Sequence, residues 1–416
     1  TADTMMVSNV GSAALSAVSL VDSINILLIQ AFSALAAGGA IVCAQYIGQK
    51  NYEKANMSAR QVLFIITAIS VAVSAVCLIF QKPLLRFIFG AVEADVMRAS
   101  ETYFFFTALS FPFIAAYDSA ASIFRAQENT KGPMTISMIS NVMNIGGNAI
   151  LIWVFHLGVA GAALSTLVSR IFCAVVVLYQ LRKDRQPIVV RDYLKIRPDW
   201  GMIKRILGLG IPSGVENSMF QLGKLAIQST VSTLGTTAIA AQAMTNILEN
   251  LNGIAAIGVG VGLMTIVGQC LGAGRKDEAV YYIKKLCVIA EFVIIASCLV
   301  VYILARPVTI LGGMEKESAA MCIHMITWIT IVKPLVWTMG FVPGYGLRAA
   351  GDVKFSMITS CCTMWACRFC LCVFLIRVLG FGPMGVWIGM FADWTVRGII
   401  FTWRFHSRKW LEHKVI

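Results

Sequence analysis

Long apolar runs alternate with short polar segments along most of the chain. Each run is long enough for a helix that crosses a bilayer, which needs about 20 residues. Because backbone N–H and C=O groups inside hydrocarbon must be bonded within the segment, the runs predict helices and an all-α integral membrane protein. The eleven runs lie near residues 13–47, 57–81, 101–122, 133–156, 158–181, 206–232, 236–266, 279–305, 319–345, 355–379 and 383–404.

The pattern occurs twice along the chain. The segment VSNVGSAALSA at 7–17 aligns with VSTLGTTAIAA at 231–241, and AQYIGQKN at 44–51 aligns at the same offset with GQCLGAGR at 268–275. An even number of helices per copy gives both copies the same orientation in the membrane. The repeat therefore predicts two six-helix lobes related by a pseudo-two-fold axis along the membrane normal, with a binding cavity between them.

The two copies differ in their number of runs. The second copy, from about residue 203, holds six of them, whereas the first holds five. We therefore expect twelve spans in the intact protein, with helix 1 incomplete here and about 20 further residues upstream. The predicted organisation is an N-lobe of helices 1–6 (residues 1–182), a cytoplasmic linker (183–202), a C-lobe of helices 7–12 (203–405) and a cytoplasmic tail (406–416).

Composition and charge agree with a membrane protein. Hydrophobic residues make up 58% of the chain and charged residues only 13%, against about 25% charged residues in soluble domains. Most Lys and Arg residues lie in alternate loops and in the tail, which the positive-inside rule assigns to the cytoplasm. We expect a multi-pass protein of the plasma (inner) membrane with both termini cytoplasmic. The net charge of +13 then reflects this bias, and no nucleic-acid partner is expected.

Two other functional classes are disfavoured. A membrane-embedded enzyme would need a catalytic constellation, but the chain has only 4 His and no HExxH or GxSxG motif. We therefore predict no catalytic residues and no metal centre. A channel is disfavoured because the two copies diverge at their polar residues instead of supplying a ring of equivalent ligands.

The order of several motifs resembles that of the multidrug and toxic compound extrusion (MATE) transporters. These motifs are GSAALSAVSL, AQYIGQKN, FRAQENTK, NVMNIGGNAILI and GVAGAALST in the first copy, then LGIPSGVEN, VGQCLGAGR and DWTVRGIIFTWRF in the second. The resemblance implies an exporter that exchanges H⁺ or Na⁺ for amphipathic, often cationic, organic compounds. A related branch of the same superfamily flips lipid-linked saccharides, so the fold alone does not fix the substrate.

The resemblance also implies a cation-coupling site in the N-lobe. An Asp on helix 1, two polar residues one turn apart on helix 5 and a Thr on helix 6 form it in the family, and the matching residues here are Asp3, Asn144, Asn148 and Thr166. Their partners in the second copy are Ile227, Cys367, Leu371 and Met390, so the polar set belongs to one lobe. Some relatives carry Asp where Asn148 stands, which leaves Asp3 as the expected single charge. Burial disfavours a charged carboxylate, and a single charge in an otherwise neutral site binds a bare cation less well, so we favour H⁺ over Na⁺ as the coupling ion and expect no other cofactor.

A second group of polar residues is predicted to line the substrate cavity. The repeat aligns Asp22 with Asn246 and Asn25 with Glu249, so each lobe presents an acid and an Asn one turn apart on its second helix. Glu216, on the first helix of the C-lobe, joins this set. Acids in such a cavity suit a cationic compound, although a polar clamp between helices explains each residue equally well. Asp393, with Arg397 one turn on, is interpreted as a neutral structural pair.

These observations predict a secondary active antiporter that works by alternating access as a monomer in the lipid bilayer. Its expected partner is a small amphipathic, cationic organic substrate. The alternative is a lipid-linked saccharide flippase, which is disfavoured because we find no cavity-lining arginine cluster of the kind that a pyrophosphate group would need.

Overall fold

The computed structural model describes residues 2–90, 92–183 and 186–416. Its contacts divide the chain into two compact units, Thr1–Gly214 and Val215–Ile416, and the boundary falls within one long helix. The helices of the first unit are α1 (Ala2–Val7), α2 (Ser12–Gly48), α3 (Tyr52–Ile79), α4 (Gln81–Phe89), α5 (Ala94–Leu109), α6 (Phe111–Ala126), α7 (Lys131–Asn148) and α8 (Val159–Leu181).

The second unit contains the corresponding helices. The helix α9 (Trp200–Val231) crosses the boundary between the units. It is followed by α10 (Thr236–Gly272), α11 (Lys276–Leu311), α12 (Lys316–Ala349), α13 (Val353–Thr363), α14 (Leu371–Arg377) and α15 (Met384–Ser407). Among the described residues no strand is present, as expected for an all-α membrane protein.

The two copies of the sequence repeat also have matching helix boundaries. Both α2 and α10 are 37 residues long, and each begins directly after a glycine with positive φ, Gly11 and Gly235. Only glycine adopts such a conformation without a steric penalty. A glycine with positive φ therefore precedes the second helix of each copy.

Eight helices in the described part of the chain are long and apolar enough to cross a membrane, and the bent pair α5–α6 brings the number to nine. The other two predicted runs form α9 and α15, which fall short of this test. Both carry ionisable residues within their length, Glu216 and Lys224 in α9 and Asp393 and Arg397 in α15.

The bend between α5 and α6 follows from one proline. The two helices meet at 42° around Ser110, and Pro112 stands in the first turn of α6. A proline has no N–H to donate to the carbonyl four residues earlier, which frees the oxygen of Ala108. The Ser74 hydroxyl of α3 donates to that oxygen at 2.6 Å. The bend is thus stabilised by a neighbouring helix.

The fifth helix of each copy contains a wider π-helical turn. In the first unit Ala149–Val154 continues α7, and in the second Met364–Cys370 joins α13 to α14. Such turns often occur where a helix carries functional side chains. Asn148 directly precedes the first of them, and Arg368 lies within the second.

A close backbone contact in the first unit gives a test of the fold. A Cβ atom on Gly38 of α2 would lie 2.6 Å from the backbone N of Gly210, whereas one on its repeat partner Gly262 would meet no atom within 4 Å. Gly38→Ala should therefore lower the free energy of unfolding by about 1–3 kcal/mol. Gly262→Ala should stabilise α10 slightly, by up to about 1 kcal/mol. Thermal unfolding in detergent, followed by tryptophan fluorescence, measures both, and equal shifts for the two variants would contradict this packing.

Candidate functional site

Asp3 lies at the centre of a buried polar cluster in the first unit. Its side chain is 6% exposed, and α1 holds it against α7 and α8. The Thr166 hydroxyl donates to Asp3 Oδ2 at 2.5 Å, and the Asn148 amide donates to Asp3 Oδ1 at 2.7 Å. Asn144 completes the network, because its amide donates to Thr166 Oγ1 at 3.1 Å and its Oδ1 accepts from Asn148 at 3.3 Å. The structure therefore brings all four residues together.

Tyr103 of α5 joins this cluster and was missed by the sequence analysis. Its hydroxyl lies 2.9 Å from Asp3 Oδ2 and 3.0 Å from Asp22 Oδ1, so it connects the two carboxyl groups. Thr4 also donates to Asp22, at 3.3 Å. A second carboxyl group, that of Asp22, therefore lies across one hydroxyl from Asp3. The only sequence signal for Tyr103 is the presence of a tyrosine in a predominantly apolar run. A tyrosine combines an apolar ring with a polar hydroxyl.

The Tyr103 hydroxyl lies between the carboxyl groups of Asp3 and Asp22, and this position limits how protons are shared among the three groups. A phenol hydroxyl carries one proton and can donate it to one carboxylate at a time. Asp3 and Asp22 both lie at hydrogen-bonding distance from that hydroxyl. Both contacts are hydrogen bonds at once only if one carboxyl group is protonated and donates to the tyrosine oxygen. In that state the cluster holds one proton more than it would with both carboxyl groups ionised.

One oxygen of the cluster has no partner in the described residues. Asn148 is fully buried, its amide nitrogen donates to two neighbours, and its Oδ1 accepts no hydrogen bond. A buried carbonyl oxygen without a donor is destabilising by about 1–3 kcal/mol. Together with the carboxylate of Asp3 it offers hard oxygen atoms that suit a small cation. The residues at this position therefore fit either a proton or a sodium ion.

The residues predicted to line a substrate cavity lie in several separate environments. Asp22 belongs to the Asp3 cluster, and Asn25 is buried with both side-chain polar atoms lacking a partner in the described chain. Asn246 is half-buried on α10. Their assignment to a substrate cavity stays a prediction.

The two predicted acids of the second unit each bind a cationic side chain. Glu216 lies 3.4 Å from Arg348 and accepts from the Ser356 hydroxyl at 3.3 Å. Glu249 accepts from the Lys333 ammonium at 2.8 Å. Each pairing compensates the negative charge that was expected to attract a cationic compound. These partners lie far from the acids along the chain, so the local pattern did not reveal them.

Asp393 is shared between two arginines rather than one. It lies 3.0 Å from Arg368 and 3.3 Å from Arg397, and all three side chains are at most 3% exposed. The predicted pair of Asp393 with Arg397 forms, but it is not neutral, because Arg368 shares the carboxylate. Arg368 reaches this carboxylate from the π-helical turn Met364–Cys370. The group of three carries a net positive charge inside the second unit.

Metal binding by protein side chains finds no further support. In residues 2–90, 92–183 and 186–416 no group of three or more His, Cys, Asp or Glu side chains is placed to hold a metal ion.

Comparison with known proteins connects this arrangement to a transporter family. The MatE family model matches residues 1–150 and 212–374. The chain is 26% identical to the uncharacterized transporter YisQ of Bacillus subtilis over 99% of its own length and 90% of the relative's. It is 24% identical to the probable multidrug resistance protein NorM of Thermotoga maritima, over 100% of this chain and 89% of that protein.

Solved structures show the same fold. A transporter of the MOP superfamily from Pyrococcus furiosus, described as having a binding pocket of reverse polarity, superposes with a TM-score of 0.90 at 19% identity. The match covers 99% of this chain and 92% of that one. A MATE crystal structure in the bent conformation gives a TM-score of 0.89 at 20% identity, over 98% of this chain and 90% of that one.

The charge environment of Asp393 predicts a large effect on stability. Asp393→Asn would leave Arg368 and Arg397 buried without a compensating carboxylate, which should lower the free energy of unfolding by about 3–5 kcal/mol. The exposed pair of Asp95 with Arg98, whose side chains are 76% and 75% exposed, supplies the control. Asp95→Asn should change stability by at most about 1 kcal/mol. Heating the detergent-solubilised variants and measuring the remaining monodisperse fraction compares them, and similar losses would contradict the assigned pairing.

Proposed function

The chain belongs to the MatE family of membrane transporters, and from this premise we propose that it exports amphipathic organic compounds in exchange for protons. Relatives named as multidrug resistance proteins support the export of such compounds. The shared hydroxyl of Tyr103 between Asp3 and Asp22 supports the proton as coupling ion.

The proton resides on Asp22 when the cluster is loaded. Asp3 already accepts hydrogen bonds from Thr166 and Asn148, and an ionised carboxyl group, which only accepts, suits these donors. Tyr103 then donates to Asp3 and accepts from the protonated carboxyl group of Asp22. In this arrangement Asp3 is the anchor of the network and Asp22 exchanges the proton.

Loss of that proton changes the contacts between helices. Two carboxylates on either side of one hydroxyl repel each other, and Tyr103 can then donate to only one of them. Asp3 connects α1 to α5, α7 and α8 through Tyr103, Asn148 and Thr166. The charge state of the cluster thereby sets how firmly these helices are held together, which is the kind of two-state element that ion-coupled transport requires.

Sodium is the second candidate for the coupling ion. The oxygen of Asn148 that lacks a donor favours it, because a cation bound there would satisfy that atom together with Asp3. Sodium is disfavoured because hydrogen-bond donors from Asn148, Thr166 and Tyr103 already contact the two oxygens of the Asp3 carboxylate. A bound cation would have to displace several of these hydrogen bonds.

Transport by variants of the cluster tests the proposal. The probe is the ethyl ester of rhodamine B, an amphipathic cation, and its accumulation in inside-out vesicles is followed under an imposed proton gradient. Tyr103→Phe removes the shared hydroxyl and should lower the initial rate by about 10- to 100-fold, since hydrogen bonds to charged groups contribute about 1.5–3 kcal/mol. Asp22→Asn should abolish the dependence on the proton gradient.

A tyrosine outside the cluster provides the matched control. Tyr179 of α8 is 63% exposed, and Tyr179→Phe should transport like the unmodified protein. Transport that follows a sodium gradient and ignores the proton gradient would replace the proton by sodium. Full activity of Tyr103→Phe and Asp22→Asn would refute the role of the cluster in coupling.

A further inference from the structure

The helix α9 carries a polar face where a membrane-spanning helix is expected to be apolar. Asn217, Gln221, Lys224 and Gln228 are three to four residues apart and therefore share one side of the helix. The first two are half-buried, and the last two are exposed. A lysine and two glutamines on lipid would be strongly unfavourable, so this face contacts water or a polar compound.

Three cationic side chains surround the ring of Phe220 on the same helix. The Lys224 ammonium lies 4.9 Å from the ring centroid, the Arg368 guanidinium 4.7 Å and the Arg397 guanidinium 5.9 Å. The electron-rich face of an aromatic ring attracts cations, but it supplies no negative charge. The three cations therefore contact the ring of Phe220, but the ring does not neutralise their charge.

The acids of this region do not balance the cations. Asp393 binds Arg368 and Arg397, which leaves one positive charge in excess, and Lys224 forms no ion pair within the described residues. Donor atoms are also left over, because Nε and Nη1 of Arg368 and Nε of Arg397 have no hydrogen-bond partner there. Arg368 is 2% exposed. Buried charges and donors of this kind are normally paired, so the region is electropositive.

We propose that this face of α9 binds a carboxylate group of the transported compound. The exposed Lys224 ammonium pairs with the carboxylate, the amides of Gln221 and Gln228 donate to it, and Phe220 contacts the apolar part of the molecule. A single exposed ammonium matches a group with one negative charge better than it matches a pyrophosphate, since the two arginines are buried and engaged with Asp393. The inference rests on the proposed export function and specifies its substrates as amphipathic compounds that carry a free carboxylate.

Two forms of one dye test this selectivity. Rhodamine B and its ethyl ester share the same ring system and differ in a free carboxylate. Binding to the purified full chain in lipid nanodiscs is followed by fluorescence anisotropy. The unmodified protein should bind the acid about tenfold more tightly than the ester, as expected for one charge-assisted contact. Lys224→Gln should remove this preference by weakening only the acid, and because Lys224 is exposed the variant should fold.

An exposed lysine elsewhere in the second unit is the control. Lys276→Gln, at the first turn of α11, should keep the preference of the unmodified protein. Equal affinity for the two dyes in the unmodified protein, or a preference that survives Lys224→Gln, would overturn the carboxylate site. Those outcomes leave the proposed export intact, because the ester alone reports on it. Failure to transport either dye under any ion gradient would instead refute the proposed function.

Discussion

An ionisable side chain within a membrane-spanning helix must find a partner, because the surrounding hydrocarbon offers neither water nor counter-ions. This constraint organises the polar interior of both units. Asp3 is surrounded by Thr166, Asn148 and Tyr103, and Lys333 lies against Glu249 and Asn252. The informative positions are the ones where this compensation is incomplete.

Each unit leaves a different charge incompletely compensated. In the first unit Asp3 and Asp22 share one tyrosine hydroxyl, which can donate its proton to only one of them at a time. In the second unit Asp393 is outnumbered by Arg368 and Arg397, so positive charge is in excess. The two copies of the repeat thus share their helices but differ in the sign of the charge that is incompletely compensated. Proton exchange suits the first arrangement, and the second suits an anionic group.

Local sequence features were sufficient for the fold and for part of the site. The matching boundaries of α2 and α10 follow from the repeated motifs and from the glycines that precede both helices. Asp3 and Thr166, which the resemblance and the break in the repeat selected, do meet in the structure. Tyr103 was missed because it lies in an apolar run in which its hydroxyl leaves no periodic signal.

Ion pairs between helices that are far apart along the chain could not be predicted from the sequence. Lys333 meets Glu249 across 84 positions of the chain, and no local pattern encodes such a contact. The contact of Arg368 with Asp393 could not be predicted either, because the π-helical turn that carries Arg368 has no sequence signature of its own. Consequently Glu216 and Glu249 were predicted to attract a cationic compound, although each is paired with a cationic side chain.

The central claim is that the Asp3–Tyr103–Asp22 cluster holds an exchangeable proton. Substrate-linked proton release from the purified protein tests it most directly, because it requires no membrane gradient. Adding the rhodamine B ester to the protein in weakly buffered solution containing a pH indicator should acidify the medium, and Asp22→Asn should abolish this response while the dye still binds. Dye binding without proton release from the unmodified protein, or release that persists in Asp22→Asn, would contradict the account.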